Sequence, residues 1–156
     1  MVDADRAVVL WGGYVNPNYK ETITIYNCLK AGDNPDKKDI WYCHVLHNCF
    51  YKNVIGLKEN GKWLQMANGY TVRIPQSLKY KPYREWCSLE ETEREQYFTL
   101  SENDIVIKGE CSDMITGTTP FTASQVLSKY KPEAFRITAI SDNTHALAGK
   151  HYRLGG

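Results

Sequence analysis

Several common protein machines are excluded by what this chain lacks. No run approaches the ~18 apolar residues of a membrane-spanning helix. Neither GxxxxGKS/T nor GxGxxG occurs, so the glycines near Gly117 and Gly149 make no phosphate loop. An excess of one charge is missing too: 19 basic residues face 18 acidic ones, which leaves at most a local patch for nucleic acid. The five cysteines, Cys28, Cys43, Cys49, Cys87 and Cys111, are odd in number and show no CxxC spacing. Met1–Arg6 carries Asp3 and Asp5 where a secretory leader is basic, so reduced thiols in a cytoplasmically made protein are expected. Internal repeats and low-complexity tracts are also missing.

What is abundant is aromatic: 11 Tyr and 4 Trp, many beside Lys or Arg, a content that suits strands and half-wet interfaces. At 156 residues the chain fits one domain. Thr22–Asn27 (TITIYN) alternates, with Ile23 and Ile25 on one face and Thr22, Thr24 and Tyr26 on the other. Ile40–Tyr51 reads as a long strand pairing with it, and Asn53–Leu57 as its continuation. Glu59-Asn60-Gly61-Lys62 is a hairpin turn, because Asn-Gly accepts the positive dihedrals of a tight reversal. Gly69–Pro75 adds a strand closed by a proline. Phe98–Leu100 and Ile105–Ile107 flank a Ser101–Asp104 turn, and Met114–Gly117 is a short extended piece. Ala134–Ile140, a turn at Ser141–Asn143, and His151–Leu154 complete the set.

Two helices are expected. Thr122 stands three residues before Gln125, a capping box opening a helix with the stripe Val126, Leu127, Tyr130 and stopped by Pro132. Ser88 with Glu91 offers the same box for an acidic helix, SLEETEREQY, where Glu90-Glu91 and Glu93-Glu95 form a solvated face. The fold class is mainly β, or β-rich α+β: a small barrel or sandwich of about seven strands with two short helices. Residues 1–21 are expected to be an N-terminal extension, poorly ordered or an arm whose Val8–Trp11 strand docks on a neighbour; residues 22–156 form the single domain.

Chemistry is sparse. WYCHVLHNCF gathers Cys43, His44, His47 and Cys49, ligand types that suit zinc, but strand alternation places Cys43, His47 and Cys49 on one face and His44 on the other, with no second knuckle. Ordinary strand residues are the simpler reading. No motif of a thiol enzyme surrounds any cysteine, so no catalytic, cofactor-binding or metal residue is assigned and no enzymatic activity is expected. The basic and aromatic run Leu78–Trp86 (LKYKPYREW), within a long loop expected over Gln76–Cys87, suits a single-strand stacking platform at Lys79–Arg84, a protein interface, or an ordinary loop covering the barrel's flank.

The pieces TITIYN, the Trp41-Tyr42 strand reaching His47, YTVRIP, FTLSENDIVIKG, DMITGTTPFTASQVLSKY, FRITAISDN and HYRLGG, in that order, resemble a family of small proteins encoded by tailed bacteriophages and prophages of gut and Gram-positive bacteria. Residues 1–21 and the thiols of WYCHVLHNCF depart from that pattern. The resemblance implies a minor virion or head-completion role, such as a head-tail connector subunit. It further implies assembly as a ring beside portal, adaptor or tail proteins, in a virion made in the bacterial cytoplasm, without a membrane and with no nucleic acid beyond packaged DNA. A single-stranded nucleic-acid-binding barrel and a zinc-binding regulatory domain on Cys43, His47 and Cys49 are the alternatives.

Overall fold

The β-branched and aromatic runs become seven strands in the computed structural model, which describes residues 16–60 and 63–156, with the backbone alone over 55–60 and 63–68. They are β1 (Glu21–Leu29), β2 (Ile40–Asn60), β3 (Trp63–Pro75), β4 (Ile105–Lys108), β5 (Ala134–Arg136), β6 (Ala139–Asn143) and β7 (His151–Gly155). All pair antiparallel in one curled sheet of order β5-β4-β1-β2-β3-β7-β6, half a barrel in outline. The mainly β expectation is thus met.

The two edges of this sheet are consecutive in the chain. β5 pairs with β4 and β6 with β7, and only Ile137 and Thr138 separate them. Ile137 exchanges backbone bonds with Asn103 and Asp104, while the Thr138 amide donates to Gly155. One bent segment, 134–143, therefore joins the edges, and the expected single strand Ala134–Ile140 is divided by that bend. Ser141–Asn143 is β6 ladder and not a turn.

Both faces of the central strands are covered, which is why Ile105, Val106 and Ile107 are all apolar. The inner face gathers Ile23, Ile25, Val72, Ile74, Val106, Phe135 and Leu154 with Phe98 and Ile137. On the outer face Tyr26, Ile105, Ile107 and Ala134 meet Val126 and Leu127 of a helix, α3, spanning Ala123–Tyr130. Burying two such side chains contributes roughly 1.5–3 kcal/mol each. Thr122 and Gln125 form the expected capping box.

Helices α1 (Tyr83–Cys87) and α2 (Glu91–Arg94) correct the reading of the middle of the chain. Ser88 opens nothing: it is the C-cap of α1, its hydroxyl bonded to the Glu85 carbonyl, and Glu90 precedes α2 without a side-chain cap. The described residues thus hold three short helices. Phe98–Leu100 is not a strand, since Phe98 makes only an isolated bridge to Tyr80; the segment lies over the inner face instead. Met114–Gly117 joins no ladder. No helix among the described residues is long and apolar enough to cross a membrane.

A bulge in β2 decides which way its side chains point. Ile23 faces Leu46 and Glu21 faces Cys49, so β2 carries one residue more than β1 over that interval. Asn48, at φ 56, absorbs it. Asn48→Val should cost about 1–3 kcal/mol, because a β-branched residue resists left-handed backbone, while Asn48→Gly should be close to neutral. Urea midpoints of the two variants check this; equal losses would mean that the side chain, not the dihedral, matters.

Candidate functional site

The bulge separates the residues that alternation had put together. Cys43 opposes Tyr26 and packs on the outer face, its Sγ 3.6 Å from the Cys111 carbonyl. Cys49, beyond Asn48, points into the inner core and is fully buried. His44 opposes Ile25 and is buried, while His47 is exposed with Nδ1 3.1 Å from the Thr22 hydroxyl. The expected common face of Cys43, His47 and Cys49 is therefore corrected. Among the described residues no three His, Cys, Asp or Glu side chains are placed to hold a metal ion.

The basic and aromatic run is split between surface and interior: Leu78, Lys79 and Arg84 are exposed while its rings pack against the body. Tyr80 packs on Phe98 and Tyr152, with ring centroids 5.7 and 4.4 Å away, and Trp86 is fully buried against Tyr42. The Tyr83 hydroxyl donates to Asp33 at 2.7 Å, and Arg84 pairs with the same carboxylate at 3.1 Å. Tyr80 and Tyr83 remain half-buried. The run begins as a loop but becomes α1 from Tyr83 onward, which covers one end of the sheet.

A polar cluster, unmarked by any motif, ties the inner face together. Asp104 is fully buried; its Oδ2 accepts from Asn27 Nδ2 at 2.9 Å and its Oδ1 from the Cys28 amide at 3.1 Å. Asn27 is itself held by the Thr99 amide and carbonyl. Burial pushes the Asp104 carboxyl up to about 7, against the pull of the Asn27 and Cys28 donors. His44 is driven down to about 4 by burial and then by the Lys79 charge.

The most unusual feature is the far half of the β2–β3 pair. β1 leaves β2 at Cys49, and β7 accompanies β3 only over Thr71–Pro75. Beyond Val54 and Gly69 the two strands continue as a ribbon, register Ile55↔Asn68 to Asn60↔Trp63, with no third strand beside it among the described residues. At the usual rise it projects about 20 Å. Its base is fixed: Asn53 Nδ2 and the Tyr70 hydroxyl both donate to the Pro132 carbonyl, at 3.0 and 2.9 Å, and Tyr70 stacks on Phe135 at 4.6 Å. β2 and β3 pair antiparallel down to Asn60↔Trp63, while Gly61 and Lys62 of the expected turn lie outside the described residues.

Residues 18–156 match a family of unknown function, DUF6751. The chain belongs to that family. In this DUF6751 chain the matched region begins beside Tyr19, which is buried against Phe50 and His151 at centroid distances of 6.1 and 6.3 Å. The folded part thus starts before the expected boundary at residue 21, and the arm expected at Val8–Trp11 lies outside the described residues. No curated protein and no solved structure matches the chain.

Two shallow clefts flank Trp41. One, of about 370 Å³, is lined by Ile40, Trp41, Tyr42, Cys43, Met114, Glu91 and Glu95. The other, of about 400 Å³, mixes Lys30 and Arg136 with Asp39 and Glu102. Gly117 and Gly149, both at positive φ, turn surface loops.

Proposed function

We propose that this chain is a non-enzymatic structural subunit that joins a larger assembly through its β2–β3 ribbon. The virion setting, a head-tail connector or head-completion subunit placed in a ring beside portal, adaptor or tail proteins, comes from the family resemblance of the sequence. The ribbon is the observation that supports assembly. A two-stranded ribbon alone in water is marginal, and among the described residues no strand lies beside either of its outer edges, which leaves both open to strand addition. The body of the sheet ends in two short edge strands, β5 of 3 residues and β6 of 5 residues, whereas the ribbon presents two edges from Ile55–Asn60 and Trp63–Asn68.

The test is to replace residues 55–68 by Asn-Gly, keeping the Val54–Gly69 pair as the new hairpin end. The full chain, alone or with the portal and adaptor proteins of its virion, is expected to give a discrete complex in mass photometry. The trimmed chain is expected to stay monomeric while still unfolding cooperatively, because the anchors of the ribbon's base, Asn53 and Tyr70 on the Pro132 carbonyl, are kept. Identical assembly by both chains would refute the proposal.

A further inference from the structure

We infer that the cleft beneath Trp41 receives an arginine side chain presented by a neighbouring protein chain. This deepens the assembly reading, since it states what a neighbour brings. Five of the seven lining residues, Ile40, Trp41, Tyr42, Cys43 and Met114, are uncharged and mostly apolar, and Met114 is half exposed. The rim is two carboxylates, Glu91 at the start of α2 and Glu95 at its C-cap, one helical turn apart.

The sign of the occupant follows from what the local cations do. Arg94, the only basic residue of α2, is committed to other partners: its Nε donates to the Tyr42 hydroxyl at 3.2 Å and its Nη1 to the Cys87 and Leu89 carbonyls. Among the described residues neither Glu91 nor Glu95 has an ion-pair partner. Lys30 lies over Tyr83, Lys81 over Tyr97, and Arg94 over Tyr42 at the cleft's own wall, whereas among the described residues no cation lies over Trp41. Indole is the strongest of these rings for a cation. A guanidinium fits all three features: it lies flat on an indole, its fork meets carboxylates, and its methylene stem covers Met114 and Ile40.

The probe is acetyl-arginine amide, with the neutral isostere acetyl-citrulline amide as control, titrated into the ¹⁵N-labelled full chain while the Trp41 indole signal is followed. That signal is identified by its loss in Trp41→Phe. The arginine probe is expected to shift it saturably, and the citrulline probe to bind about tenfold more weakly. In Glu91→Gln/Glu95→Gln, whose exposed side chains hold nothing in the fold, the difference should vanish. Equal binding of the two probes, no shift with either, or an unaltered preference in the double variant would each overturn the inference. The readout needs no assembly, so a silent cleft beside intact ribbon-dependent assembly would remove this inference alone.

Discussion

Asp104→Asn is expected to make the protein acid-labile between pH 6.5 and 4, a window in which the aspartate form holds nearly constant stability. The reason is a pair of opposed titrations. Asp104, raised by burial from an ordinary value of 3.8 to about 7, keeps its proton when folded and loses it when unfolded over that window. Its contribution is therefore present at low pH and lost as pH rises through about 7. His44 behaves inversely: burial lowers it from 6.5 to about 4, so it stays neutral when folded and gains a proton when unfolded. Its contribution is present above pH 6.5 and lost as pH falls toward 4. Folded and unfolded states then bind equal numbers of protons at these two sites, and the slopes cancel.

Asparagine at 104 removes one of the two. The remaining His44 titration spans about 2.5 units, on the order of 3 kcal/mol of stability lost on acidification. His44→Leu should unmask the other slope, with stability falling as pH rises from 4 to 7. Leucine is tolerable there because His44 Nε2 has no partner whose bond would be broken. Urea midpoints from pH 4.5 to 8 for the three proteins decide the matter. Parallel profiles for Asp104→Asn and the parent would show that Asp104 does not titrate as its burial dictates, and parallel profiles for His44→Leu and the parent would show the same for His44.

Trp86→Ala is expected to cost about 3–5 kcal/mol, the range for emptying a large aromatic site in a core. Against the 5–15 kcal/mol total of an ordinary domain, that leaves little margin at 37 °C. Trp86 has no exposed surface; it stands edge-on to Tyr42, with centroids 5.3 Å apart and rings at 87°, among Leu29, Tyr83, Leu89 and Tyr97. Its Nε1–H donates to the Tyr97 carbonyl at 2.9 Å. Trp86→Phe keeps most of the volume and loses that bond, so it should cost about 1–3 kcal/mol. Chemical denaturation orders the series; a loss below about 1 kcal/mol for alanine would mean that α1 does not seal the sheet's end.

Trp86 also illustrates where sequence reading succeeds and fails. Its run, LKYKPYREW, has the composition of a binding loop, and only contacts with Tyr42, Phe98 and Tyr152, all distant in sequence, show that its rings face inward. By contrast the alternation of TITIYN, the β-branched Ile105–Ile107 and the Thr122–Gln125 capping box are decided within a few residues, and each was legible. The Asn48 bulge was not, because one left-handed residue reverses the face of everything after it without changing composition. Asn27 and Asp104 meet across 77 residues, and no local pattern records that. The ribbon was half visible: Asn60-Gly61 marks the reversal, but how far the strands outrun their neighbours depends on where β1 and β7 stop. The Trp41 cleft draws on β2, α2 and the Met114 loop at once, beyond the reach of any motif.

The bent segment 134–143 has a consequence for the order of folding. While the chain is being made, β1 to β4 can pair as soon as they emerge, but β3 and β4 then both present open edges. The strands that occupy them, β7 and β5, come last, within Ala134–Gly156. A chain cut short before Ala134 would carry two adhesive edges and an unclosed apolar face, so truncated or slowly completed copies are the aggregation-prone species. Completion of the final stretch pairs both of those edges, β4 with β5 and β3 with β7, and covers the inner face with Phe135 and Leu154.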